Sequence, residues 1–292
     1  MTTTSAATPE FEQREINVNK KYTFSILCLA TLGAVADAQA QAAPAAETAP
    51  YTITGNIALT SDYMFRGLTQ TWGGIAVQGG ADLTMTNGFA AGFWASSISD
   101  KTYPGAALEL DLYANYGAQI NDDWSWRVGL YGYVYPQGNL NDVGLPSRSF
   151  NTLEANAALT YKWLTLKYST SLTDYFGIDT EQGYHGDSKG TGYLQLDAAI
   201  PLNEQWSLAL HAAHTRIGTK LVVPYANGAD NPDYSDYGAT VKYQFSTHWN
   251  ASLGTTYASN KAFYGNTASF SDANDTRDVG GTRGFVMLQG TF

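Results

Sequence analysis

The sequence predicts an all-β protein: a closed antiparallel transmembrane β-barrel of twelve strands, with short periplasmic turns and long external loops. Three observations predict it. Apolar and polar residues alternate with period two from Thr52 onward, in stretches of roughly ten residues, the length at which a tilted strand crosses an outer membrane. The connections between these stretches are alternately short and long. Of the 292 residues 44% are hydrophobic and only 14% charged, yet the longest apolar run, 22–36, falls short of the ~20 residues a membrane helix needs.

Taken from the start, Lys20 and Lys21 precede the apolar stretch 22–35, and Ala36-Asp-Ala-Gln-Ala40 offers two small-x-small cleavage sites. This is the pattern of a secretory signal peptide, so residues 1–40 are expected to be removed. The polar stretch 1–19 is longer than a usual basic leader, which points to a later start codon, with Val18 a candidate. Residues 41–51, rich in Ala and Pro, read as a flexible linker, and 52–292 as the barrel. The single cysteine, Cys28, falls within the signal, so the mature chain has neither a disulfide framework nor a thiolate metal site. With 16 basic against 26 acidic residues, a net charge of −10, the chain offers no basic surface for phosphate backbones, and nucleic acid is excluded as a partner.

Strands are predicted at 52–65, 75–86, 89–99, 107–120, 124–135, 151–161, 164–175, 192–201, 206–217, 236–245, 249–259 and 282–292. The clearest is 108–118, where Leu108, Leu110, Leu112, Ala114 and Tyr116 point one way and Glu109, Asp111, Tyr113 and Asn115 the other. An even count brings both ends to the same side. The tight connections lie at 87–88, 121–123, 162–163, 203–205 and 246–248, and the long ones at 100–106, 136–150, 176–191, 218–235 and 260–281. Trp124, Trp163, Trp206 and Trp249 each sit at or just after a tight turn, a level that fits an interfacial girdle, where the ring sinks toward lipid and the N–H stays wet. Asn121-Asp-Asp-Trp-Ser125 and Asn203-Glu-Gln-Trp-Ser207 nearly repeat, through hairpin duplication or through shared turn chemistry.

At Thr60-Ser-Asp-Tyr-Met-Phe-Arg-Gly67 followed by Gln70, Gly92-Phe-Trp-Ala-Ser96, Glu109-Leu-Asp-Leu-Tyr113 and Thr173-Asp-Tyr-Phe-Gly177, the chain resembles the TorF family of proteobacterial outer-membrane porins. The likeness spans nearly the whole mature chain, and Ser-Asp-Tyr-x-Phe-Arg-Gly is its most specific piece. It implies transport across the outer membrane of a Gram-negative bacterium without naming a solute. The chain ends on Phe292, whose face holds Val286, Leu288 and Gly290, and this resembles the terminal aromatic signal read by the barrel-assembly machinery.

If apolar residues face lipid, opposite parity assigns Asp62, Arg66, Asp82, Glu109, Asp111, Arg127, Glu154, Lys162, Lys167, Asp197, Lys242 and Arg283 to the interior. Two readings stay open: a network of ion pairs that stiffens and partly fills the barrel, or opposed charges that line a pore. Asp62, Arg66, Glu109, Asp111 and Arg127 are the residues expected to tune passage. Acidic residues outnumber basic ones in the long loops, which predicts a weak cation preference that fades with salt. The expected function is passive diffusion of small polar solutes or ions, with no cofactor, metal or catalytic group, and with outer-membrane lipid, lipopolysaccharide and the assembly machinery as partners. A non-conducting barrel whose loops bind a surface partner is the alternative. A lipid hydrolase using His214, which has lipid-side parity, is the third reading.

Overall fold

The computed structural model describes residues 49–292; the expected signal peptide, Cys28 and most of the linker lie outside the described residues. Twelve strands build the barrel: β1 (Tyr51–Thr60), β2 (Ala76–Met85), β3 (Phe89–Ser97), β4 (Leu108–Gln119), β5 (Trp124–Val134), β6 (Thr152–Tyr161), β7 (Leu164–Ser171), β8 (Gly192–Pro201), β9 (Trp206–Arg216), β10 (Tyr234–Gln244), β11 (Trp249–Ala258) and β12 (Gly281–Thr291). Each pairs antiparallel with its sequence neighbours, and β1 closes on β12 in a register running from Asn56↔Thr291 to Thr60↔Met287. Reciprocal backbone bonds between Gly55 and Phe292, 2.9 Å each way, carry that seam to the last residue. Closure removes every sheet edge, the condition for a sheet to lie in hydrocarbon. Among the described residues no helix is long and apolar enough to cross a membrane.

The two-residue period decides what each wall shows. Ile57, Phe93, Leu112, Leu130, Leu166, Leu196, Val241, Leu253 and Val286 are all exposed on the outside, a continuous apolar belt that would associate in water. Strands of 8 to 12 residues, rising ~3.3 Å per residue and tilted by ~40°, stand about 20–30 Å tall, which matches an apolar band of about 25 Å.

Both described chain ends and the five tight turns lie at one end of the barrel, called here the turn end. Asn121 Oδ1 accepts from the N–H groups of Asp123 and Trp124, both at 3.0 Å, and Asn203 Oδ1 accepts from those of Gln205 and Trp206, both at 2.9 Å. Ser246 Oγ plays the same part for His248 and Trp249, at 3.3 and 3.1 Å. Three turns thus share one side-chain-to-backbone device, which accounts for the near repeat without duplication. Three of the four tryptophans face outward at this level, and each packs on another ring: Trp124 on Tyr161 (4.7 Å), Trp206 on Tyr243 (4.6 Å) and Trp249 on Phe292 (6.0 Å). Trp163 departs from the expectation. It occupies the two-residue turn itself, where strand parity no longer governs direction, and it lines the turn-end mouth of the lumen. Lys162, in the same turn at φ 52°, leaves the interior and lies 3.5 Å from Asp123.

The opposite, loop end carries the long connections, including short 3-10 turns at Leu140–Val143 and Thr180–Gln182 and a helical turn at Lys261–Tyr264. The largest correction concerns β1. The sequence predicts a strand to residue 65, but the chain leaves the wall after Thr60, and residues 61–75 turn inward. There they meet Trp94, Tyr133, Tyr135, Phe150, Tyr175 and Phe176, so the hydrophobic core of this protein lies inside the loop-end half of the barrel.

Candidate functional site

The inward segment is a miniature hairpin, Met64–Phe65 paired with Leu68–Thr69. Its turn residues, Arg66 and Gly67, have φ of 48° and 76°, positive at both central positions as the tightest hairpin turns require. At its base Asp62 accepts hydrogen bonds from Thr69 Oγ1 (2.5 Å), Thr71 Oγ1 (2.9 Å) and, from β12, Arg283 Nε and Nη2 (3.0 and 2.8 Å). The stem packs Tyr63 edge-on to Trp94 (5.3 Å), and Phe65 against Tyr133 and Phe176 (both 5.5 Å). At the tip the Arg66 guanidinium donates to Glu154 of β6 (2.7 Å) and to the Tyr175 hydroxyl (3.1 Å), and lies 4.1 Å over the ring of Tyr193 on β8. The hairpin is therefore anchored on β12 and reaches the opposite wall.

Gly67 completes the seating. A Cβ there would stand 2.8 Å from Asp236 Cβ and 3.1 Å from Ala258 Cβ, in a backbone conformation L residues rarely adopt. Asp236 cannot yield, because Tyr193 and His211 already hold it. Gly67→Ala is expected to destabilise the seated hairpin by about 1–3 kcal/mol, read as a lowered denaturation midpoint in detergent; an unchanged midpoint contradicts this packing. Outside the membrane-spanning strands, Trp72 Nε1 donates to Asp275 (3.3 Å), and Lys101 Nζ meets the same carboxylate at 2.5 Å. The Lys101 ammonium, with help from the indole, holds the Asp275 carboxyl below its usual range.

Between the hairpin and the turn end lies a chamber that opens at the turn end. Phe65 and Arg66 roof it, Glu154, Lys167, Asp197, His211 and Lys242 stand on its walls, and Trp163 sits at its mouth. Five of the sequence-predicted interior residues thus meet here: Arg66, Glu154, Lys167, Asp197 and Lys242. The others do not line it. Asp62 and Arg283 pair at the hairpin's base. Asp82 accepts from the Tyr113 hydroxyl at 2.7 Å. Arg127 lies on the wall of β5. Glu109 and Asp111 are fully buried under the loop end; the Tyr63 and Tyr135 hydroxyls lie beside Glu109, but none of the four carboxylate oxygens meets a partner at hydrogen-bonding geometry. These two residues were expected to tune passage, but the hairpin and its aromatic cluster cover them.

One arrangement escaped the sequence reading. His211 bridges two carboxylates, Asp197 through Nδ1 (2.5 Å) and Asp236 through Nε2 (2.8 Å), and the Tyr193 hydroxyl reaches both His211 and Asp236. The inward parity of all four residues was readable. Their juxtaposition depends on the β9–β10 register, Ala213↔Asp236, set across a seventeen-residue connection with no periodicity of its own.

An apolar outer belt, a closed sheet and a roofed polar lumen define the class: a membrane-spanning β-barrel with an internal constriction. The chain belongs to the Gcw_chp family, described as "Bacterial protein of unknown function", whose profile matches residues 44–292. No curated protein matches the chain. Among solved structures it is similar to a KdgM porin in complex with disordered oligogalacturonate (9% identity, 82% of this chain and 98% of that one, TM-score 0.49). It is also similar to the NanC porin (12%, 82% and 99%, TM-score 0.48) and to the COG4313 outer membrane channel from Pseudomonas putida F1 (11%, 82% and 94%, TM-score 0.45). These are likenesses of barrel architecture and say nothing about the solute.

Proposed function

We propose that this protein is an outer-membrane channel of narrow bore through which small polar solutes diffuse passively, with the 61–75 hairpin as its constriction. The observation that carries the reading is the chamber inside an apolar-belted barrel, lined by Glu154, Lys167, Asp197, His211 and Lys242 and roofed by the hairpin tip. Twelve strands fall between eight-stranded barrels, filled by side chains, and the sixteen-stranded porins with open channels, so the bore suits small solutes. The TorF resemblance supports the same reading, because its most specific motif supplies the hairpin: Asp62 anchors it, Tyr63 and Phe65 pack it, and Arg66 and Gly67 form its tip.

The expected signal peptide and the outward Phe292 face support export and insertion by the barrel-assembly machinery, with the long loops toward lipopolysaccharide. Loop carboxylates outnumber loop cations, so approach from the loop end favours cations weakly at low salt. The hydrolase reading has one observation of its own: His214 faces outward, with Nδ1 3.0 Å from Ser235 Oγ. Its other ring nitrogen meets no carboxylate among the described residues, so the pair lacks the group that would orient a general base. The test is planar-bilayer recording of the purified protein. Discrete unitary steps are expected; their absence at all voltages would favour a plugged barrel that binds partners through its loops.

A further inference from the structure

The charges on the chamber wall are unequally engaged. Glu154 is taken by Arg66 at 2.7 Å. Asp197 is taken on one oxygen by His211 and on the other by Gln195 Nε2, both at 2.5 Å. Lys167, by contrast, lines the chamber with neither a hydrogen bond nor an ion pair within 4 Å among the described residues, although Asp197 and Glu154 lie near enough to attract it. Register fixes its surroundings. Arg127, Ala158, Lys167 and Gln195 occupy one row across β5 to β8, so two cations flank a small, buried alanine at a backbone separation of about 10 Å. Lys242 lines the same chamber from β10, and Arg66 roofs it. Acidic side chains that could pair with a cationic solute are occupied, while the Lys167 ammonium, with three donors, lines the chamber without a close partner among the described residues. Thr165, Ser169, Ser207 and Ser252 add short hydroxyls to the lining, suited to a ligand that carries hydroxyls of its own.

From this asymmetry we infer that the chamber is a binding site for a small hydroxylated organic anion, a carboxylate held by Lys167 beneath the Arg66 roof. The inference rests on the channel reading only in making the ligand a solute in transit; the site itself requires just the chamber. Its sign is opposite to that of the loop-end mouth, and because the chamber opens at the turn end an anion reaches it without passing the loop carboxylates. Once the anion enters from the turn end, Lys167 supplies a charge-assisted bond in a partly dry lumen, where such bonds are stronger than in water.

The experiment is calorimetric titration of gluconate, with uncharged sorbitol as control, into the purified barrel in lipid nanodiscs, beside bilayer recordings of the same preparation. The wild type is expected to bind gluconate and not sorbitol, Lys167→Gln to bind roughly tenfold or more weakly, and Lys167→Arg to retain binding. Equal affinity in wild type and Lys167→Gln, or no gluconate binding at all, overturns the site. The two failures are distinguishable. Unitary current without Lys167-dependent binding leaves the channel standing and removes the site, whereas Lys167-dependent binding without current keeps the site and removes the channel.

Discussion

Replacing Met64–Thr69 with Gly-Gly is expected to raise the unitary conductance several-fold. The excision is conservative at its ends, because the Gln70 N–H already donates to the Tyr63 carbonyl at 2.8 Å, so a two-residue link closes the stem where it is already paired. It removes Met64 to Thr69, with the Thr69 bond to Asp62 and the Phe65-Arg66-Gly67 tip that spans from the β12 side of the lumen to Glu154 and Tyr193 on the far wall. The barrel strands keep their ladders, since the hairpin pairs with itself and contributes no strand to the closed sheet. Stepwise current recorded across a planar bilayer checks the prediction, and an unchanged step size would mean that current does not pass where the hairpin lies.

The second large effect concerns the ion pair at the tip. Arg66 and Glu154 are both buried, at 7% and 2% exposure, and deleting one partner leaves a buried charge without compensation, a penalty of about 3–5 kcal/mol. Glu154→Ala should therefore not merely soften the protein. The hairpin has an escape open to few buried charges, which is to withdraw from the lumen and return Arg66 to water. The expected outcome is a hairpin that unseats while the barrel persists: a frequent, larger open state in recordings, and protease sensitivity within 61–75. The double change Arg66→Met with Glu154→Leu removes both charges and should recover most of the closed behaviour. If Glu154→Ala leaves both open-state occupancy and proteolysis unchanged, the pair does not hold the constriction.

The barrel was legible because lipid on one side and a polar lumen on the other impose a two-residue period, and because tight turns need Asn, Ser and Gly at fixed offsets. Strand boundaries such as Leu108–Gln119 and Trp206–Arg216 fall within a residue or so of the pattern. The hairpin leaves a weaker mark: Thr60-Ser-Asp-Tyr-Met-Phe65 runs on from the end of β1 with no Gly or Pro to end the strand, and the alternation there lapses into three polar and then three apolar residues. Only Arg66-Gly67, a turn that needs positive φ, marks the reversal. Parity could say which charges face inward; it could not say that Glu109 and Asp111 lie beneath a cover while Lys167 lines the chamber. That depends on where the hairpin comes to rest, a tertiary fact with no periodic signature.

The position of Arg66 tests the account most directly. Nuclear magnetic resonance of arginine-labelled protein in lipid nanodiscs reads it through the Arg66 side chain, 4.1 Å above the Tyr193 ring and bonded to the Tyr175 hydroxyl. Ring-current-shifted guanidinium signals, with cross-relaxation to the ring protons of Tyr193 and Tyr175, are the result predicted. Signals at solvent-exposed shifts, with no contact to either tyrosine, would contradict a hairpin laid across the lumen.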